Sequence, residues 1–563
     1  MYTTVAGMVA STETTRGLGA IWRAQGFRYI EVASDDATYH LELASGVRVK
    51  ALGDGHGNIY ADQLGWVIGS DITTAFNQQF PNLPTRFNLV LHGMYDLANT
   101  STIAIGANCS ISSKVVAGFE FSNQNADINR IGLGDFAELD HITLKLKTAP
   151  TSTIDKALVT IASTSAQVVE CVLEGDLTGI AMSSADKARV WRCLIKTTNG
   201  ITTTDCTWSR ILQTDFESNA VGLTMDGNEN SNCTDCNFEN CTTNGAVVTQ
   251  GQHNTFFMCD FVACDLVLEK NWAGAASLAT ADMLRAINVK SCGFDSSDLI
   301  IRTKWTGDFS VTPPTQEEFD IYSVHDIALD NNIFLGTGTL KLVGSSRVYG
   351  SANQFEEGCG FIDCTIGTEQ RSFGQHHTSL LDTIYYVDRT TLKTIDGVKN
   401  FRIGFGSLRA SKAGTNPCLR FDNSEMVVVQ SMSTFASDEI AANFVVFEIG
   451  DVDTISFTIA GQDDNATAKM SYVGFTSTST ADFVAVTDCH IKGGRHLVDV
   501  PSTLGVGVVA VQRNHVTNLT ALVKVENTDT TVVCGENFSD GATALAETGV
   551  VPDLTDRNNV GFT

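Results

Sequence analysis

Asn232-Cys233-Thr234-Asp235-Cys236-Asn237-Phe238 is followed, 23 residues on, by Thr255-Phe256-Phe257-Met258-Cys259-Asp260-Phe261. The two stretches share one alternation of apolar and polar side chains. The same three-residue core stands at Cys171-Val172-Leu173, Cys193-Leu194-Ile195, Thr214-Asp215-Phe216 and Cys292-Gly293-Phe294, with successive spacings of 22, 21, 22, 23 and 33. Three residues upstream a second column reads Val168, Val190, Ile211, Cys233, Phe256 and Val289. A third reads Gly179, Gly200, Gly222, Gly245, Asp265 and Asp298, each followed by an apolar residue. Side chains alternate across a strand, so the Cys and Phe of Cys-x-Phe share one face and the middle residue takes the other. Stacking like residues coil on coil closes a core. The fold class is therefore all-β, a right-handed parallel β-helix of about 22 residues per coil. The Gly and Asp column is expected to supply left-handed corners. A leucine-rich repeat has a similar period but needs a dense Leu-x-x-Leu-x-Leu pattern, which is missing.

Working outward, residues 1–70 show no coil period. Asp71 is placed to cap a short helix over 72–80, stopped by Pro81, which would cover the open end of the first coil. Residues 71–375 read as coils with insertions near 270–287 and 303–323. Residues 376–485 are β-rich but irregular in period, either irregular coils or a separate β domain. Residues 486–563 return to coils, with Cys489-His490-Ile491, Asn514-His515-Val516 and Glu536-Asn537-Phe538, and end in an extended tail of roughly 25 residues.

The net charge of −27 disfavours nucleic acid, whose phosphates need Lys and Arg, and disfavours anionic membrane surfaces. No apolar run is long enough for a membrane helix, and the start Met1-Tyr2-Thr3-Thr4 lacks a signal peptide's basic and apolar regions, so cytoplasmic synthesis is expected. The 15 cysteines are spread along the chain as column residues and are expected to be reduced, buried hydrophobes. Cys233-x-x-Cys236 could hold zinc, but both cysteines already serve the repeat; no metal and no cofactor are expected. His376-His377 and Gly53-Asp54-Gly55-His56-Gly57 read as turns.

Parity sends Asp215, Glu217, Glu239, Asp260 and Asp295 outward on one face. Neighbouring coils lie about 4.8 Å apart and residues i and i+2 about 6.5–7 Å apart. Those separations bracket what retaining and inverting glycosidases need, and crowding should raise one carboxyl pKa. Asp215, Glu217, Glu239 and Asp260 are the catalytic candidates. The bland reading is that an acidic protein puts carboxylates on any exposed strand. Trp272, Trp305 and Tyr322, in the insertions, are candidates with Asp295 for glycan contact, since flat aromatic faces suit sugar rings; alternatively each Trp anchors its own loop.

The stretch 71–97 resembles the entry to the pectate-lyase-like β-helix of bacteriophage tailspikes, where an "aiq-aai" helix and a strand precede a "pxGxYxl" segment. Thr74-Ala75-Phe76-Asn77-Gln78-Gln79-Phe80 matches the helix and His92-Gly93-Met94-Tyr95-Asp96-Leu97 the segment, with His92 in place of proline. The resemblance implies a homotrimeric virion tail spike, assembled in the host cytoplasm, that recognises and cleaves a host surface polysaccharide. Residues 1–70 would dock it on other tail proteins. The rivals are a spike that only binds and a polysaccharide lyase. A lyase wants a Lys or Arg base, and the face 213–262 carries none; Arg192 and Lys196 stand one coil earlier.

Overall fold

The computed structural model describes residues 1–98, 100–122, 128–147, 156–272, 283–305, 322–364, 375–436, 440, 442–464, 468–501, 507–526, 530–541, 544–548 and 554–562. It divides into two compact units, Met1–Ala246 and Val247–Thr563.

The first unit opens with a four-stranded antiparallel sheet, in the order Ile21–Ala24, Phe27–Val32, Arg48–Leu52, Leu41–Glu42. Parallel winding starts earlier than the sequence boundary at 70: Asn58–Tyr60 already pairs in parallel with Asn88–Leu91. The capping helix is Thr73–Gln79, followed by a 3₁₀ turn, Phe80–Asn82, that absorbs Pro81. Asp71 Oδ1 accepts from the Thr73 N–H at 2.8 Å. Phe76 stacks on Phe80 and meets Phe119 edge-on, so the helix covers the first coil with buried rings.

Each later coil of this unit has three sides. The first holds Gln167–Val169, Arg189–Trp191, Arg210–Leu212 and Asn232–Thr234, paired in parallel with Val168, Val190, Ile211 and Cys233 in line. The second holds the Cys-x-Phe column; Leu173, Ile195, Phe216 and Phe238 are fully buried. Phe216 and Phe238 stack at 4.6 Å with nearly parallel planes, as in-register coils require. The third side carries Ile180, Ile201 and Leu223 in register.

The glycine column does something other than turn the corners. Gly179, Gly200 and Gly222 are not in the left-handed region. A Cβ on Gly200 would stand 2.1 Å from the Gly222 carbonyl oxygen and 2.7 Å from the Phe216 ring; one on Gly222 would meet the Gly245 oxygen at 2.6 Å. Glycine is there so that coils can close on each other beside the phenylalanines. The left-handed corners are single residues of mixed type: Glu170, Arg192, Gln213 and Asp235, with φ of 51°, 54°, 48° and 54°. Their side chains form a ladder. Arg192 donates to Glu170 and to Gln213, and Gln213 donates to Asp235 at 3.0 Å.

The second unit continues the pattern within itself, with Phe261, Phe294, Phe334 and Phe355 stacked at 5.2, 4.9 and 4.5 Å. The Cys position becomes Asn332 and Asn353, whose amides bond backbone groups of neighbouring coils. Of the two readings of 376–485, the strands show irregular coils: Val398–Gly414, Ser424–Ala436 and Val452–Asp463 pair in parallel, with steps of about 26–29 residues and shifts of register. A separate seven-stranded sheet runs from Thr394–Asp396 through Phe444–Ile449 to Ala544–Thr548. The expected tail is also in the winding, since Leu554–Arg557 pairs with Thr531–Gly535. The cores of both proposed insertions, 273–282 and 306–321, lie outside the described residues.

All fifteen cysteines are buried. Cys171, Cys193 and Cys236 donate to backbone carbonyls between 3.2 and 3.6 Å, the task that Thr214 performs with its hydroxyl. Burial pushes the Cys418 and Cys489 thiols up to about 12.

Two substitutions test this register. Phe238→Ala should cost about 3–5 kcal/mol in denaturant unfolding. Gly200→Ala should also destabilise, although alanine normally stiffens a chain favourably, while Arg192→Gly at a left-handed corner should change stability by about 1 kcal/mol or less. A Gly200→Ala chain as stable as the parent would contradict the close approach.

Candidate active site

The outer face of the second side begins as an alternating charge ladder. Lys145 lies opposite Glu174 and Glu174 opposite Lys196; Glu217 lies opposite Glu239. Lys145 Nζ is 3.3 Å from Glu174 and Lys196 Nζ 2.7 Å from Glu217. The alternation then fails, because Glu239 follows Glu217 where a cation would continue it. Asp215 stands two residues before Glu217 on the same outward face, with Phe216 buried between them.

Three of the five predicted carboxylates, Asp215, Glu217 and Glu239, are thus together in the first unit. Partial burial raises the proton affinity of Asp215, and the charges of Glu217 and Glu239 raise it further. Lys196 holds Glu217 by an ion pair, and Asn240 donates to Glu239 at 3.3 Å. The cluster therefore sets a carboxyl of raised proton affinity beside one paired to an ammonium, an asymmetry that acid–base catalysis can use. Lys196, set aside in the sequence as one coil too early, is brought onto this face. Glu217 raises its pKa, so it stays an ammonium and is a poor base.

Asp260 and Asp295 belong to the second unit, one on each of two adjacent strands. Both are exposed. Asp260 lies over Gly293, whose Cβ would stand 2.6 Å from Asp260 Oδ1, and Asp295 accepts from Ser296 at 3.2 Å.

The aromatic candidates need a correction. Trp272 is not on a loop: it closes the strand Leu266–Trp272 and is 1% exposed, with its ring 6.0 Å from that of Tyr322. It offers no face to a sugar. Trp305 ends Leu299–Trp305 in register with Trp272, and Tyr322 is half-buried.

The sequence reading passed over a second outer face in the first unit, where Trp208 is 54% exposed and Arg189 lies opposite Arg210. The signal was available: the two arginines are one coil apart and each immediately precedes an inward column residue.

Residues 152–282 match the family described as a right-handed β-helix region. No curated protein matches the chain. Similar solved structures include the Dettilon tailspike protein gp208, 11% identical over 57% of this chain and 68% of that one, TM-score 0.36. A second is the tailspike gp49 of Acinetobacter baumannii bacteriophage Fri1, a capsular polysaccharide depolymerase, at 12% identity over 75% and 71%, TM-score 0.31. A third is a mutant tailspike of E. coli bacteriophage HK620 in complex with a hexasaccharide, at 12% identity over 88% and 79%, TM-score 0.33. The protein is a right-handed parallel β-helix. No helix among the described residues is long and apolar enough to cross a membrane.

Asp215 gives a test that needs no substrate. Its folded-state pKa is raised, so its favourable contribution is complete below the unfolded aspartate range, about 3.9. That contribution is lost as pH rises through the folded value, leaving an ionised Asp215 as a liability at neutral pH. Asp215→Asn should raise the melting temperature at pH 7 and leave it unchanged near pH 3. Equal or lower melting temperatures at pH 7 would remove the strained carboxyl from the account.

Proposed function

We propose that this β-helix is a phage tailspike that binds a host surface polysaccharide and hydrolyses it on the outer face around Asp215. The observation that carries the reading is the asymmetry within one cluster: Asp215 has a raised proton affinity while Glu217 is ion-paired with Lys196. Asp215 acts as general acid toward the glycosidic oxygen and Glu217 as the base that activates water. Their separation of about 6.5–7 Å across one strand fits inversion at the anomeric carbon. Glu239, one coil on, sustains the proton affinity of Asp215. An extended outer face suits a chain polymer, which a closed pocket would exclude.

Elimination is the weaker reading, since Lys196, the amine beside these carboxylates, has its pKa raised by Glu217 and is a poor base. The resemblance of 71–97 to tailspike entry segments supports the assignment to a virion tail. On that reading the antiparallel sheet of the first unit is the attachment module toward other tail proteins, and the spike is a homotrimer.

Glu217→Gln should abolish release of reducing ends from host surface polysaccharide while binding persists. Glu239→Gln should retain cleavage but move the alkaline limb of the pH–rate profile to lower pH, because the repulsion that raises Asp215 is relieved. Product analysis should show inverted anomers and no unsaturated chromophore. Full activity in Glu217→Gln would remove this face from catalysis, and binding by the wild type with no product at all would leave a receptor-binding spike.

A further inference from the structure

On the first side of the same unit lies a cleft of about 290 Å³, lined by Ser165, Gln167, Lys187, Arg189, Trp208 and Arg210. Its composition is unusual for this chain. Gln167 lies opposite Arg189 and Arg189 opposite Arg210, so the two arginines leave adjacent coils about 4.8 Å apart on the same face. Like charges directly opposite each other across strands are destabilising. On nearby coils, cations of the outer faces are answered by acids: Arg192 by Glu170, Lys145 by Glu174, Lys196 by Glu217. Among the described residues no carboxylate forms an ion pair with Arg189 or Arg210. The third cation of the cleft, Lys187, is 3.4 Å from Asp186. In a chain of net charge −27, a paired and unanswered set of guanidiniums is a vacancy for an anion.

Trp208 is the second, independent observation. It sits in the left-handed region, φ 54°, at a corner where its N–H donates to the Glu229 carbonyl, and its side chain is thrown outward, 54% exposed. A tryptophan there meets two costs, the strained backbone and a wet indole, that glycine or asparagine would avoid. Among the described residues no ring contact or hydrogen bond of the Trp208 side chain offsets them. An indole face beside two guanidiniums presents what one class of ligand displays: a flat C–H surface with a carboxylate or other acid group at its edge.

We propose that this cleft is a binding subsite for an acidic sugar residue, the Trp208 ring taking the sugar face and Arg189 and Arg210 the anionic group. The inference rests on the polysaccharide reading above and adds the substrate class, an anionic polysaccharide. The ridge of Arg192, Gln213 and Asp235 separates the cleft from the carboxylate face, and Trp191, whose indole N–H donates to Gln213 at 2.9 Å, extends the cleft's side up to that ridge. A polymer crossing the ridge would reach both faces. The acid group would be held away from Asp215 and Glu217, which would repel it.

The test is affinity electrophoresis of the full chain in gels containing polygalacturonate, polysialic acid or neutral dextran. The wild type should be retarded by at least one anionic polymer with about tenfold or greater preference over dextran, weakened by salt. Arg189→Gln/Arg210→Gln should erase that preference, and Trp208→Ala should weaken binding while preserving its salt dependence. Glu217→Gln, which removes a repelling charge, should bind the anionic polymer at least as well as the wild type while losing cleavage, so the two sites are read separately. No preference in the wild type, or the same preference in the double variant, would overturn the inference. So would a change of oligomeric state in the double variant, which would assign the face to a second copy of the chain.

Discussion

The in-register parallel hydrogen-bond ladder between successive coils governs everything else in this molecule. It places each residue directly over its counterpart one coil away, at the spacing of neighbouring strands. Inside, that geometry rewards identical side chains: Phe216 lies flat on Phe238, and a thiol, a hydroxyl or an amide can fill one column because each finds a backbone carbonyl at the same place. It also forbids bulk where the coils pinch, which is why Gly200 faces Gly222. Outside, the ladder turns single residues into rows. A row of alternating sign neutralises itself, as Lys145, Glu174, Lys196 and Glu217 do. A row of one sign stores repulsion, as Glu217 with Glu239 and Arg189 with Arg210 do in the first unit.

Those two like-charged rows carry the functional account. The acidic row adds to the proton affinity of Asp215, which the proposed mechanism uses as its acid. The basic row is the proposed anion site, on a chain of net charge −27. Between them runs the ladder of left-handed corner residues, which fixes the angle at which the two faces meet. Local electrostatic cost is tolerated because the stacked core is continuous, and removing a charge from the surface leaves the inward columns untouched.

Much of this was legible in the sequence. The Cys-x-Phe and Val columns gave period, parity and the outward direction of Asp215, Glu217 and Glu239, because inward residues are chemically uniform. The corners were not legible. A left-handed single-residue bend was filled by Glu170, Arg192, Gln213 or Asp235, residues with no shared signature, while the glycines that looked like corners were packing devices. Residues 376–485 hid their winding because coils of about 26–29 residues no longer match the earlier step. Trp272 was misplaced because a strand running on into an apparent insertion looks the same, in sequence, as the insertion. Trp208 was overlooked because an exposed tryptophan at a corner breaks the expectation that corners are small and polar. Lys196 was discounted by coil number, although a lysine stem readily spans one coil step.

The measurement that tests the central claim most directly is an experimental structure of the Glu217→Gln variant with an oligosaccharide of its bound polysaccharide. The account predicts a sugar chain over the first unit's outer faces, with a glycosidic oxygen within hydrogen-bond distance of Asp215 and an adjoining residue toward Trp208. An ordered sugar chain elsewhere on the molecule, with Asp215 and Glu239 left in open solvent, would contradict it.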